Sequence, residues 1–155
     1  MSIEIRTENP LTPENRHLIE ASQAAMLEVL PPEEIFSFSA EELATPNTQF
    51  LVARVDGQAQ GCVALVDQGR YGEVKRLFVT PEARGLGLGR ALMAALEQAA
   101  KDIGLCRLRL ETGHTLTAAV ELYRALGFDD CPAFGGYPDI ASNLFMEKTV
   151  GVCVN

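Results

Sequence analysis

Basic residues are scarce in this sequence of 155 residues, which has 13 Lys and Arg side chains against 21 Asp and Glu. Binding to a nucleic-acid backbone requires a broad basic surface, so nucleic acid is excluded as the expected partner. Long apolar runs are also missing, because none approaches the roughly 20 residues of a membrane span. The first four residues lack the basic region and apolar stretch of a leader. We therefore expect a cytoplasmic protein with no membrane partner.

Residues that bind metals are few. The sequence contains two histidines, His17 and His114, and its four cysteines show no C-x-x-C spacing. We therefore expect no metal site. In a reducing compartment a cysteine is most often a small buried or incidental side chain, and we expect free thiols without a redox role at all four positions. These positions are Cys62, Cys106, Cys131 and Cys153.

A single domain over residues 1–155 is expected, because 47% of the residues are hydrophobic and a chain of this length can bury a core without staples. The negative charge is concentrated at the front, where residues 1–47 carry nine acidic residues and two basic ones. Such a run is typical of a solvated helix face. An acidic rim that attracts a cationic substrate is the alternative, and the sequence leaves both open.

The pattern of the first 47 residues predicts one short strand and two helices. Residues 3–6 are consistent with a strand, and Thr12 and Pro13 form the N-cap and first position of a helix. We expect Pro31 and Pro32 to end that helix. A capping-box pattern over residues 39–42 predicts a short second helix.

The middle of the chain predicts an antiparallel meander followed by a strand–helix–strand unit. Residues 48–55 and 60–66 flank a turn at Asp56-Gly57, and a third strand follows at residues 72–79. An amphipathic helix is predicted over residues 88–103, and alternation predicts a strand over residues 105–111. Strands on either side of such a helix are expected to be parallel neighbours.

The last third predicts a second amphipathic helix over residues 117–126, closed by Gly127. Pro and Gly residues mark a loop over residues 131–141, and a last strand is expected over residues 143–149. The whole order predicts an α+β fold with a mixed sheet.

Three glycines at alternate positions, Gly85, Gly87 and Gly89, separate the third strand of the meander from the long helix. Without Cβ atoms they allow main-chain N–H groups to approach an anion, and the helix N-terminus adds free donors and partial positive charge. Arg84 and Arg90 flank this turn and suit a phosphate. The pattern predicts a pyrophosphate cradle. It matches neither the P-loop nor the dinucleotide fingerprint.

Two motifs resemble the GNAT superfamily of N-acetyltransferases. Residues 84–89, R-G-L-G-L-G, match its R/Q-x-x-G-x-G/A signature, and residues 122–128, L-Y-R-A-L-G-F, match its later L-Y-x-x-x-G-F segment. The resemblance implies an α+β fold with a mixed, mostly antiparallel central sheet and helices on both faces. It also implies that two parallel strands, residues 73–79 and 105–111, splay apart around acetyl-CoA as cosubstrate, with no metal.

The same resemblance implies where acetyl-CoA binds. Its pantetheine pairs with the backbone near Leu77, Phe78 and Val79. Its pyrophosphate lies on the amides of Arg84, Gly85, Leu86, Gly87, Leu88, Gly89 and Arg90. One departure concerns Leu116, which stands where many members have an asparagine that contacts the cofactor.

The chemistry of the implied reaction requires a base, because removing a proton from an amine at pH 7 costs about 4 kcal/mol. Glu73 stands where some members carry a base and is predicted to act directly or through water. An ion pair with Lys75 or Arg76 is the alternative for Glu73, and Glu111 is the next candidate base. Tyr123 is implied to donate a hydrogen bond to the leaving thiolate, although it also fits a core position.

The sequence thus predicts an N-acetyltransferase that moves acetyl from acetyl-CoA to a primary amine of a small molecule or peptide by direct attack. By analogy, its acceptor pocket contains Phe36, Phe38, Phe134 and Tyr137. A non-catalytic acyl-CoA-binding or sensing module is the alternative, and a docking domain for a basic protein is a further one. A homodimer stays open.

Overall fold

The computed structural model describes residues 1–36 and 38–153 and contains an α+β fold. Its strands and helices are β1 (Ile3–Thr7), α1 (Pro13–Leu27), α2 (Ala40–Leu43), β2 (Thr48–Val55), β3 (Gln58–Asp67), β4 (Gly72–Val79), α3 (Leu88–Asp102), β5 (Arg107–Gly113), α4 (Thr117–Ala125), β6 (Asp129–Asp130) and β7 (Asn143–Thr149). Short 3-10 turns cover Pro32–Glu34 and Pro81–Ala83. Among the described residues, no helix combines the length and the apolar character needed to cross a membrane.

The seven strands form one mixed sheet in the order β1-β2-β3-β4-β5-β7-β6. Every neighbouring pair is antiparallel except β4 and β5, which are parallel as predicted. Only two residue pairs join these two strands, Gly72 with Leu108 and Glu73 with Arg109. Beyond them the strands diverge, and a V-shaped opening splits the middle of the sheet.

Helices cover both faces of the sheet, because consecutive buried residues of β2 belong alternately to two core clusters. Leu51 and Ala53 belong to the core cluster on the α3 side. Phe50 and Val52 belong to the cluster under α1 and α2, together with Leu18. Because successive strand residues point to opposite faces, the sheet contributes to two cores.

The predicted helix caps are present. The hydroxyl of Thr12 accepts a hydrogen bond from the Asn15 amide at 3.2 Å, and Ser39 and Glu42 form the reciprocal capping box of α2. However, α1 ends at Leu27, before the prolines expected to stop it. The residue preceding Pro31 is disfavoured in helical conformation, which is one reason for the early end.

The expectation of four free thiols is wrong, because Cys106 and Cys153 form a disulfide. After β7 the chain continues antiparallel to the segment before β5, and the Val150 amide donates to the Cys106 carbonyl at 2.8 Å. The Cα atoms of Cys106 and Cys153 are 5.2 Å apart, within the range that a disulfide requires. The other two cysteines, Cys62 and Cys131, are free.

The acidic front of the chain is partly neutralised by long-range ion pairs. Arg54 on β2 bonds Oε2 of Glu8 and Oε1 of Glu14, both at 2.8 Å. This guanidinium holds the pKa of Glu8 down at about 2. Arg16 similarly bonds Glu41 at 2.6 Å. These acids are therefore structural partners of arginines, whereas others on the same segment reach the cleft described below.

Candidate active site

The V between β4 and β5 opens into a cleft of about 670 Å³. Its walls come from α1, β4, β5 and α4, and the glycine turn that opens α3 lies at one end. Of the residues predicted to bind acetyl-CoA, Leu77, Phe78, Val79, Arg84 and Gly89 line this cleft.

A β-bulge shapes the β4 side of the cleft. Cys62 pairs with Phe78 and Ala64 pairs with Lys75, so Val63 alone faces two residues of β4. The bulge contains Arg76, whose φ of 57° lies in the left-handed region. A bulge bends its strand and leaves backbone groups unpaired. Backbone donors and acceptors on β4 are thereby available for a ligand next to Leu77.

The glycine turn presents a row of free amides at the start of α3. Gly85 and Gly87 have φ of 85° and 78°, and nothing lies within 4 Å of where their Cβ atoms would be. The first helical bond runs from the Ala91 amide to the Gly87 carbonyl at 3.1 Å. Within the described residues, no hydrogen bond is made by the amides of residues 85–90. Free amides at a helix N-terminus favour an anion.

Other members of this turn have different roles. A Cβ on Gly89 would lie 3.1 Å from Cδ2 of Leu122, so this glycine allows α3 to pack closely against α4. The side chain of Leu88 is buried in the core, whereas Leu86 is exposed. Leu88 can therefore contact a ligand only through its backbone. Arg90 lies in the first turn of α3 and, like Leu86, outside the cleft lining.

Tyr123 on α4 lines the cleft and is buried, with its ring edge-on to Phe128 at 5.7 Å between centroids. Burial, and secondarily the charge of Glu111, raises the pKa of its phenol well above the usual value. The phenol therefore stays protonated and can donate a hydrogen bond into the cleft. Full transfer of its proton to a thiolate is correspondingly more uphill.

Glu111 on β5 also lines the cleft. Burial raises the pKa of its carboxyl to about 7, the charge of Lys75 opposes this shift, and that of Glu73 adds to it. A base with a pKa near the working pH is well matched to removing a proton from an amine.

Glu73 lies behind the cleft wall rather than in it. Its side chain is 3% exposed and is absent from the cleft lining. Its Oε1 accepts a hydrogen bond from Gln68 at 3.0 Å, and its Oε2 accepts one from the hydroxyl of Tyr137. Lys75 lies 3.7 Å from Oε2. The pairing with Lys75 foreseen as an alternative is present, but it is buried.

Lys75 is a cleft residue that sequence reasoning considered only as a partner of Glu73. Its ammonium bonds the Phe36 carbonyl at 2.8 Å and the Tyr137 hydroxyl, and it lies 4.8 Å from the ring centroid of Phe38. Burial lowers its pKa from the ordinary value. A lysine inside a strand that pairs on both sides was the available signal, because such positions are rarely charged unless paired.

The far half of the cleft is apolar and acidic. Met26 in the last turn of α1 lines it, together with four residues that follow the helix: Glu28, Val29, Leu30 and Glu34. Within the described part of the chain, neither of these two carboxylates has an ion pair or hydrogen bond.

The predicted acceptor aromatics are only partly brought together. Phe36 lines the cleft, whereas Phe38, Phe134 and Tyr137 pack behind it. Leu116, where an asparagine is usual, lines the cleft between Thr115 and Thr117.

Known proteins resemble this chain over most of its length. The model of the Acetyltransferase (GNAT) family matches residues 15–128. A relative from Azospirillum brasilense, named IAA acetyltransferase, is 40% identical over 149 residues, which are 95% of this chain and 97% of the relative. A Klebsiella pneumoniae structure named acyl-CoA N-acyltransferase is 34% identical, with a TM-score of 0.81 and coverage of 96% and 98%.

A more distant neighbour shares the fold. The PaiA N-acetyltransferase of Thermoplasma acidophilum, solved in complex with coenzyme A, superimposes with a TM-score of 0.75 at 24% identity. The match covers 96% of this chain and 99% of that one.

Proposed function

Because this chain belongs to the GNAT family of acetyltransferases, we propose that it moves an acetyl group from acetyl-CoA to a primary amine of a small molecule or peptide. The observation that carries the proposal is one continuous cleft with free amides at one end and Glu111 and Tyr123 in its walls. The first feature suits a diphosphate, and the other two suit proton removal and a departing thiolate.

The donor half of the cleft supports acetyl-CoA as the cosubstrate. We place its pyrophosphate on the free amides of residues 85–90 and its pantetheine beside the bulged backbone of Leu77, Phe78 and Val79. The Arg84 amide, predicted to take part, instead donates to the Pro81 carbonyl at 3.4 Å. A backbone N–H of this bulge would donate a hydrogen bond to the thioester oxygen as that oxygen gains negative charge. The Thermoplasma protein, which has the same fold, was solved in complex with coenzyme A, and this supports coenzyme A as a ligand of the fold.

Two carboxylates are proposed for the base. Glu111 faces the cleft and has a pKa near neutrality, so it takes the acceptor's proton directly. Glu73 is bonded by Tyr137 and lies near Lys75, so a proton reaches it only through one of those side chains. The neutral amine then attacks the thioester carbon and the C–S bond breaks. The nitrogen gives its second proton to the departing thiolate, to which Tyr123 donates a hydrogen bond, and the products are the amide and the free thiol.

The far half of the cleft, named the acceptor half from here on, is suited to a positively charged acceptor with an apolar portion. Glu28 and Glu34 line it and have no ion pair with any residue that the structure describes, whereas the ammonium of Lys75 is bonded internally. A cationic amine gains from this field before it loses its proton. The name of the Azospirillum relative makes IAA a second candidate acceptor, which an assay can compare directly.

The test is thiol release from acetyl-CoA by the purified protein with a panel of acceptors: linear monoamines, diamines, amino acids, peptide N-termini and IAA. Thiol release that depends on a primary amine, with mass spectrometry showing an N-acetyl product, is the expected result. Coenzyme A binding without turnover on any acceptor would instead favour the acyl-CoA-binding module. Release with IAA alone would contradict the amine assignment.

A further inference from the structure

Two consecutive basic residues of β4, Lys75 and Arg76, donate hydrogen bonds to two carbonyls that lie close together in the chain. Lys75 Nζ donates to the carbonyl of Phe36 at 2.8 Å, and Arg76 Nε donates to the carbonyl of Phe38 at 3.0 Å. In a regular strand, consecutive side chains point to opposite faces. The left-handed φ of Arg76 breaks this alternation, so both side chains reach one segment.

The guanidinium of Arg76 also bonds helix α1. Its two terminal nitrogens donate to the hydroxyl of Ser22 and to Oε1 of Gln23, each at 2.8 Å. An arginine has five N–H donors in a rigid planar fork, which allows one side chain to hold several acceptors in fixed geometry. Here the fork joins β4, α1 and the carbonyl of Phe38.

Arg76 lies between two cavities. It lines the 670 Å³ cleft on one side and, on the other, an outer pocket of about 390 Å³ beneath α1 and α2. Ser22 lines the cleft, whereas Gln23 lines the outer pocket. The bonds from Arg76 to these two residues therefore cross the boundary between the cavities.

We propose that Arg76 is a specificity-determining residue that closes the acceptor half of the cleft toward the outer pocket and so limits the length of the acceptor. The part concerning acceptors rests on the proposed function. Glycine adopts a positive φ without strain, whereas arginine does not. The hydrogen bonds of the Arg76 side chain offset that strain. The same bulge therefore exposes β4 backbone to acetyl-CoA and places the Arg76 side chain at the end of the acceptor half.

Arg76→Gly tests the barrier without disturbing the bulge, because glycine suits the backbone at this position. We expect the ratio of kcat/KM for a long linear amine to that for a short one to rise about tenfold, while KM for acetyl-CoA changes less than about twofold. Arg76→Lys keeps the charge but loses the fork, and an intermediate ratio is expected. An unchanged ratio in both variants would overturn the proposal.

A second measurement is independent of the acceptor. Hydrogen–deuterium exchange of residues 18–27 and 38–43 reports whether Arg76 stabilises α1 and the chain that begins at Phe38. Faster exchange there in both variants, with coenzyme A affinity unchanged, supports the barrier, and exchange like that of the wild type overturns it. If the wild type acetylates no amine, the proposed function fails, and the exchange data still decide on the contact made by Arg76.

Discussion

The hydroxyl of Tyr137 donates a hydrogen bond to Oε2 of Glu73, and so joins the loop between β6 and β7 to the base of the V. Lys75 bonds the same hydroxyl and lies near the same carboxylate. The three side chains form a polar cluster at the cleft wall, in which Glu73 and Lys75 are buried and only Lys75 lines the cleft. A buried carboxylate that loses a donor bears the cost of desolvation without compensation.

Tyr137→Phe is therefore expected to reduce the free energy of unfolding by about 1–3 kcal/mol. Chemical denaturation near neutral pH measures this change. Tyr71→Phe is the matched control, because no hydrogen bond of the Tyr71 side chain is found in the described residues. Equal stability of the two variants would show that the Tyr137 bond contributes nothing to the fold.

Glu111→Gln is expected to lower kcat/KM for the amine by at least about a hundredfold, because general bases typically contribute that much. In the wild type, the carboxylate must be ionised to accept a proton and its pKa is about 7. In the wild type, kcat/KM for the amine should therefore fall about tenfold per pH unit below pH 7. The Glu111→Gln variant should not show this decrease at low pH. Glu121→Gln on the exposed face of α4 is the control. Retention of the same decrease in Glu111→Gln would shift the base role to Glu73.

Tyr123→Phe is expected to lower kcat about tenfold or more, with little change in coenzyme A affinity. In its proposed role the phenol bonds the departing thiolate and not the bound ground state, so the loss should fall on turnover. Stopped-flow turnover and calorimetric binding separate the two quantities. An unchanged kcat would remove Tyr123 from the mechanism and leave it a core aromatic packed on Phe128.

Gly87→Asp and Gly87→Asn form a pair that separates charge from backbone strain. Both place a side chain of the same shape at a φ of 78°, where Asn and Asp are the most tolerated after glycine. Only the aspartate repels a diphosphate. We expect Gly87→Asp to bind coenzyme A at least about tenfold more weakly than Gly87→Asn, by isothermal titration at low salt. Equal affinities would contradict the cradle.

Cys153→Ser is expected to lower the free energy of unfolding by about 2–4 kcal/mol, since it opens a loop of 47 residues. Cys131→Ser, a partly exposed free cysteine, should change stability little. Titration of thiols in the denatured wild type, without reductant, should find two reactive groups. Four reactive thiols would show that the Cys106–Cys153 bond does not form under the conditions used.

Predictions that rest on neighbouring residues were confirmed. The Thr12 cap, the capping box and the strand over residues 72–79 are encoded within a few positions of chain. The α+β class and the parallel pair followed from the order of such elements, and family membership followed from two local motifs. The roles of the predicted site residues, the single domain and the cytoplasmic location stay predictions.

What sequence reasoning missed depends on contacts between distant positions. The disulfide joins residues 47 apart, and neither spacing nor composition indicates which cysteines meet. The burial of Glu73 follows from Tyr137, 64 positions later. Arg76, considered from sequence only as a partner of Glu73, instead bonds α1 from a bulged position where its φ is 57°. A β-bulge of this kind changes the alternation of apolar and polar residues in the sequence too little to be predicted from it.

The parallel strands β4 and β5 share only two paired positions at the closed end of the V. On the side facing β5, the rest of β4 has no strand beside it, so its amides and carbonyls there are not paired within the sheet. In the proposed complex, the pantetheine arm of acetyl-CoA would lie along this edge and take the place of a neighbouring strand. On that proposal, the cosubstrate would complete the sheet at the position where its own strands separate.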